Sequence, residues 1–299
     1  MSSGSMLDVI CVGAANFDTI AVVRRLPKAD ERVITEQIMD AAGGPAATAA
    51  VALAREGLQV GFCGVVGNDA TGRKVQDLLE SEGVDTTWLR IDDDLTTPRT
   101  IVLVESKSAT RVLIAQDYRR PRARDIPIGK APWLHLDQIG YGPAIRAIER
   151  CGSSVRVSLD AGIPIDDLSL KNIDMYVPTV ACLLARYPGH TIEEALISST
   201  MEGVTFAAAT DGANGVWVLV SGRAQHVPAF SVPIVSTLGA GDVFHGAILA
   251  SVLRGSGLLD AARRASAVAA LSCRALDGRS GIPKAVETDE FLAAQEIGP

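Results

Sequence analysis

The chain has 299 residues, 47% of them hydrophobic and 21% charged, with 28 Gly and 14 Pro. That make-up belongs to a folded globular protein and excludes disordered, collagen-like and coiled-coil chains. A formal net charge of -7 argues against a nucleic-acid partner, because such binding rests on a basic face that neutralises phosphates.

The longest apolar runs are strand-sized or Ala-rich and amphipathic, which argues against a membrane span. The opening MSSGSM lacks the basic and apolar regions of a secretory signal. Five cysteines, Cys11, Cys63, Cys151, Cys182 and Cys273, are widely spaced and odd in number, the pattern of reduced thiols in a cytoplasmic protein rather than of a disulfide framework or zinc site.

In chain order, LDVICVG is a continuous apolar run ending at Gly13, as expected of a buried parallel strand. GGPAATAAVALAREG reads as a helix, with Pro45 at its first turn and Gly57 at its stop. VGFCGVVG then gives a strand and ATGRKVQDLLESEG a helix. From Thr97 the pattern becomes a hairpin, TPRTIVLVES, KSAT, RVLIAQ. A second strand-like stretch, 19–37, precedes the first helix, and with 97–117 it is expected to build a small separate sheet.

Beyond Pro132 the alternation resumes with strand WLHLD, a helix from Pro143 to Cys151, strand VRVSLDAG, helix TIEEALISSTMEG and strand VTFAAAT. A hairpin around DGANG and helices Ala240 to Arg254 and Leu258 to Ala275 follow. Repeated βα units predict an α/β fold with a doubly wound, mostly parallel sheet. With no linker, low-complexity segment or repeat, residues 1–299 are expected to form one domain.

Candidate chemistry lies at strand-to-helix junctions. In STLGAGDVFHGAILA, Gly239, Ala240 and Gly241 open a helix whose unpaired N–H groups and dipole suit a phosphate. Asp242 follows in the first turn. Such an Asp either stabilises the helix start or accepts a proton from an attacking hydroxyl. In DAAGGPAATAA, Gly43 and Gly44 expose bare backbone to a hydroxylated ligand or serve packing with Ala46, Ala47 and Ala49. Asn16 and Asp18 follow the first strand, where open α/β sheets bind ligands. An Asp there either holds sugar hydroxyls or makes an Asx turn. ATDGANG, with Thr210, Gly212 and Gly215, suits nucleotide phosphates or ribose and equally a plain hairpin turn.

GNDATGRK mimics a P-loop, but Lys74 is displaced and no Ser or Thr follows it. No G-x-G-x-x-G follows the first strand, and His135, His190, His226 and His245 show no metal-ligand spacing. His245, one turn beyond Asp242, reads as a packing or hydrogen-bonding residue.

AAGGPAATAAVALAREGLQVGFCGVVGNDATGR and VSTLGAGDVFHGAILA, with GAANFD before and TDGANG between them, together resemble the PfkB, or ribokinase-like, family of carbohydrate kinases, over most of the chain. The resemblance implies a ribokinase-like α/β domain with a β-sheet lid and transfer of the γ-phosphate of ATP to a sugar hydroxyl with Mg2+. It implies that Asp242 is the catalytic base and that Gly239, Ala240 and Gly241 form the anion hole. Asn16, Asp18, Gly43 and Gly44 become sugar contacts, and Thr210, Gly212, Gly215 and Thr237 nucleotide contacts.

Two departures stand out: Ser236 replaces the first Asp of D-T-x-G-A-G-D, which puts K+ activation in doubt, and DMYVPTVACLLA lacks the N-x-x-E linked to magnesium. No dedicated protein metal ligand is read. Leu238 and WLHLD are similar to ketohexokinases, and GGPAATAAVA, GDVFHGA and DGRSGIP to sulfofructose kinases, which points to a ketohexose-like acceptor. Ribokinase, sulfofructose kinase, phosphofructokinase and nucleoside kinase are the alternatives within the family, with Arg99, Arg111, Arg119 and Arg120 available to a phosphorylated acceptor. A sugar or nucleotide sensor that keeps the fold without turnover is the alternative of another class. A homodimer through the lid is the expected assembly.

Overall fold

The computed structural model describes residues 6–107 and 110–296; MSSGS and the centre of the KSAT turn lie outside the described residues. The elements in chain order are β1 (Val9–Val12), β2 (Asn16–Val23), β3 (Thr35–Gly43), α1 (Pro45–Arg55), β4 (Val60–Gly67), α2 (Ala70–Ser81), β5 (Asp85–Asp92), β6 (Arg99–Glu105) and β7 (Arg111–Ala115). They continue with β8 (Trp133–Leu136), α3 (Tyr141–Cys151), β9 (Arg156–Ala161), β10 (Met175–Pro178), α4 (Val180–Arg186), α5 (Ile192–Met201), β11 (Phe206–Thr210), β12 (Val216–Val220), β13 (Arg223–Val227), α6 (Ala240–Leu253), α7 (Leu258–Ser272) and α8 (Ala285–Glu296).

Strand β1 shows why the sheet is covered on both faces. Its sequence VICV is apolar throughout, and successive side chains point to opposite sides. Val9 and Cys11 join a core built with α1, α2, α6 and α7. Ile10 and Val12 join a second core with α3, α4 and α5. The large sheet has the order β13-β12-β11-β10-β9-β8-β1-β4-β5. It is parallel from β5 to β11, with β12 and β13 added as antiparallel strands at one edge. From β1 the chain moves first to β4 and later to β8 on the other side. The carboxyl ends of β1 and β8 therefore flank the switch point where such sheets open a ligand crevice.

The Ala-rich face of α1 serves packing: Ala46, Ala47, Ala49, Ala50 and Ala52 are fully buried, and α6 crosses this helix closely. A methyl on Gly246 of α6 would lie 2.6 Å from the Ala49 carbonyl oxygen. At the end of α1, buried Glu56 takes hydrogen bonds from Arg254 (2.9 Å) and Arg264 (2.8 Å), which ties α1 to α6 and α7. Its partners offset the cost of burying a carboxylate.

A second, four-stranded sheet has the order β3-β2-β6-β7. The expected stretch 19–37 is two strands with a loop between them, and β3 runs on to Gly43. None of the first six residues of β3 is buried, in the pattern ieeeie, which hides a period-2 signal. Asn16 and Asp18 accordingly lie on a strand, with Asn16 opposite Gly43 and Asp18 opposite Ala41. Ile20, Val102 and Val104 form a small core under this sheet, against Leu238 and Leu276. Its other face leaves Ile38, Ile101, Val112 and Ile114 exposed.

Candidate active site

Helix α6 begins at Gly239, whose φ of 73° lies in the left-handed region that a side chain disfavours. A methyl there would also come within 2.9 Å of the Gly278 Cα. Ala240, Gly241 and Asp242 are the first three residues of the helix. The Ala240 N–H turns back to the Thr237 carbonyl (3.3 Å). Those of Gly241 and Asp242 have no carbonyl four residues earlier within the helix and stand at its positive end. A methyl on Gly241 would meet nothing within 4 Å, so open space adjoins these amides. Arg111 on β7 donates to Thr237 Oγ1, which joins the small sheet to the start of α6.

Asp242 is partly buried, and its neighbours act on it chiefly through charge. Burial, then repulsion from Asp160 and Asp137, pushes its pKa well above the ordinary carboxylate value, while Arg279 and Arg111 oppose the rise. Asp137, directly after β8, is fully buried. It accepts hydrogen bonds from the N–H groups of Ala14 (2.7 Å), Ala46 (3.2 Å), Ile139 (2.8 Å) and Gly140 (2.9 Å). Burial still pushes it up to about 6. Asp160, near the end of β9, accepts from the Gly162 N–H at 2.9 Å and lies 3.1 Å from His245 Nε2. His245 is thus the hydrogen-bonding residue its sequence position suggested. Behind it His135 contacts Ser158 at 3.2 Å, and burial holds its pKa down to about 3.

The next wall holds Asn16, Asp18, Gly43 and Gly44. Asn16 Nδ2 donates to Asp18 Oδ1 (2.6 Å) and Thr100 Oγ1 (2.7 Å), while Asn16 Oδ1 is buried without a partner. A methyl on Gly43 would press on both Asn16 Oδ1 and Asp18, and Gly44 adopts φ 99° against the Ala14 backbone. Both glycines follow from this crowding. Burial raises the pKa of Asp18, while Asn16 and Arg279 lower it. Tyr118 faces Asp18, Asp137 and Asp242 and is pushed up to about 12, mainly by burial. Arg279 donates from Nη2 to the Gly43 carbonyl (2.6 Å) and from Nε to Thr48 Oγ1 (3.2 Å). The two glycine-rich turns, about 195 residues apart in sequence, are therefore bridged by one loop: Gly278 touches Gly239 and Arg279 touches Gly43.

Thr210 closes β11 and pairs with Thr179 beside β10. Gly212 starts a 3-10 turn with φ 54° and open space around its missing Cβ. Gly215 differs: it is buried, and a side chain would collide with the Val227 carbonyl. Its glycine is thus accounted for by the approach of β13. At the usual strand spacing of about 4.8 Å, the four steps from β1 to β11 span roughly 19 Å, so Thr210 and Gly212 lie at the far end of the crevice from Asn16 and Asp18. Asp137, Asp160 and Thr179 fall between them, one at the end of each intervening strand. Among the described residues no three His, Cys, Asp or Glu side chains come together as a metal cluster.

Sequence reasoning gave no role to Asp137, Asp160, Tyr118 or Arg279. An acidic residue at the end of WLHLD and of VRVSLD was a usable signal, given where open sheets bind ligands. Of the arginines it named, Arg111 reaches Thr237, whereas Arg99 bonds Thr19 (2.9 Å) and Arg119 lies 3.8 Å from Asp92.

Comparison with known proteins bears on the family and the fold. The model of the pfkB family carbohydrate kinases matches residues 6–131 and 183–285. Ribokinase of Haemophilus influenzae is 27% identical, over 94% of this chain and 97% of its own. Ketohexokinase of Mus musculus is also 27% identical, over 92% and 98%. Among solved structures, ribokinase of Thermotoga maritima superposes with a TM-score of 0.84 at 24% identity, covering 96% of this chain and 99% of that one. Ribokinase of Arabidopsis thaliana, complexed with ribose and ATP, gives 0.80 at 23% identity, over 96% and 99%. These structural likenesses carry the ribokinase-like fold, and with the family match over both glycine-rich segments they lead to one assignment: the chain belongs to the pfkB family of carbohydrate kinases.

Proposed function

We propose that the enzyme transfers the γ-phosphate of ATP to a primary hydroxyl of a ketohexose such as fructose, with Asp242 as the base. The observation that carries this reading is the junction at α6, where a carboxylate of raised pKa adjoins two unpaired amides and open space. Phosphoryl transfer needs chiefly alignment and charge stabilisation. The amides of Gly241 and Asp242 stabilise the transferring group, and Asp242 takes the proton of the attacking hydroxyl.

Asn16 Oδ1, buried and unpartnered, is an acceptor awaiting a hydroxyl donor, and Asp18 beside it suits a second. The open turn at Gly212, with Thr210 and Thr237, takes the nucleotide. Gly215 supports that turn rather than touching ATP.

Magnesium suits this site as an ion carried by phosphate oxygens and water, which needs only one or two carboxylates. Asp160, beside the charge of Asp242, is the residue that would hold it, and the ion would neutralise phosphate charge. Thr179 caps α4 where a family N-x-x-E would stand, and Cys182 on that helix contacts Gly162 (3.5 Å), so no acid is offered there. Ser236 likewise offers no carboxylate to a monovalent cation. The small sheet serves as a lid over the acceptor, and its exposed Ile38, Ile101, Val112 and Ile114 support cover by a second copy.

Ribose is the second acceptor to weigh, because ribokinases of Haemophilus influenzae and Bacillus subtilis are 27% and 25% identical. Coupled ADP release from MgATP with fructose, ribose, fructose 6-phosphate, sulfofructose and adenosine decides. The expected outcome is the highest kcat/KM for a ketohexose; a preference of tenfold or more for ribose or adenosine would overturn the ketohexose assignment and leave the kinase one intact.

A further inference from the structure

Arginine is seldom left buried with an idle donor, since an unsatisfied polar group away from water is costly. Arg279 is 7% exposed, and its Nη1 has no partner. The rest of the guanidinium is fixed: Nη2 holds the Gly43 carbonyl at 2.6 Å and Nε holds Thr48 Oγ1 at 3.2 Å. Its backbone is held too, because Arg55 Nη1 donates to the Arg279 carbonyl at 3.0 Å and to that of Ile282 at 2.5 Å. A planar group anchored at two nitrogens has a fixed third direction.

The charges that face Arg279 are Asp18, Asp242, Asp277 and Glu82. The guanidinium therefore shares its surroundings with both the acid assigned to sugar binding and the acid assigned as base. Asn16 Oδ1, also buried and unpartnered, belongs to the same wall. One idle donor and one idle acceptor beside Asp18 form a complementary pair for a polyhydroxylated guest.

We propose that Arg279 contacts the acceptor sugar, donating from Nη1 to a sugar oxygen next to the hydroxyl that attacks. This rests on the sugar-kinase reading. Burial lowers the Arg279 pKa to about 10, so it stays cationic at neutral pH.

The test compares wild type, Arg279→Met and Arg279→Lys by steady-state kinetics with D-fructose and D-ribose as probes. The Met variant is expected to raise the sugar KM about 10- to 100-fold and to change the MgATP KM less than about threefold. The Lys variant keeps the charge but not the fork, so it leaves the sugar KM raised. If the Met variant does not fold, the Lys variant alone decides through its sugar KM. A folded variant with unchanged sugar KM, or with both KM values raised equally, overturns the proposal and reduces Arg279 to a clasp between the two turns. Failure of the wild type to turn over any sugar would instead overturn the underlying reading.

Discussion

Gly241 separates a phosphate site from an ordinary helix start more sharply than any other residue. A methyl there meets no protein atom within 4 Å, and replacing glycine by alanine where the backbone tolerates it stabilises a protein by about 0.4–1 kcal/mol. Gly241→Ala should therefore hold or raise Tm while lowering kcat about 100-fold, the usual scale for spoiling an oxyanion-type site. Calorimetry paired with ADP-release assays checks it; a variant with full turnover would mean that no reacting group occupies that space. At this scale GAGD, Gly43 and Gly44 were legible because glycine and aspartate mark junctions on their own. Arg279 was noticed only within DGRSGIP and without a role, since its partner Gly43 lies 236 positions away.

Asp137 organises whole elements. Its four N–H donors come from the link after β1, the first turn of α1 and the start of α3, so one carboxylate fixes where two helices leave the sheet. Asparagine has a single acceptor oxygen, and each unsatisfied buried donor costs about 1–3 kcal/mol. Asp137→Asn should thus lose roughly 2–4 kcal/mol of stability by urea titration; a loss below about 1 kcal/mol would show that the bonds relax without cost.

The elements read from sequence share strong local signals: apolar runs for β1, β4 and β11, and an alanine face with a proline start for α1. The missed ones lack them. The pattern of β5 is eBeiBieB, β10 is cut short by Pro178, and β13 is a polar edge strand. Helices α4 and α8 were missed as well. The run RVLIA was read correctly as β7 although all five of its residues are exposed.

At the level of the whole molecule, doubly wound topology turns distant segments into one crevice. The wall proposed for the acceptor lies at one end, the turn proposed for the nucleotide at the other, and α6 reaches β9 between them. Alternation of strand and helix made that architecture legible. The closure of the crevice by the loop carrying Gly278 and Arg279 depends on tertiary contacts that no local pattern announces.

The central claim is that Asp242 is the base. Its raised pKa means that its ionisation destabilises the fold: the stability linked to its proton is complete below the unfolded carboxylate value near 3.9 and is lost as pH rises through the folded value. Asp242→Asn should therefore raise Tm at pH 7.5. In the same preparation, ADP release with MgATP and fructose should fall about 100- to 10,000-fold, the range for loss of a general base, while calorimetric ATP affinity stays within about threefold. Turnover by the variant within tenfold of wild type would contradict the account; so would a wild type that binds both ligands and never releases ADP.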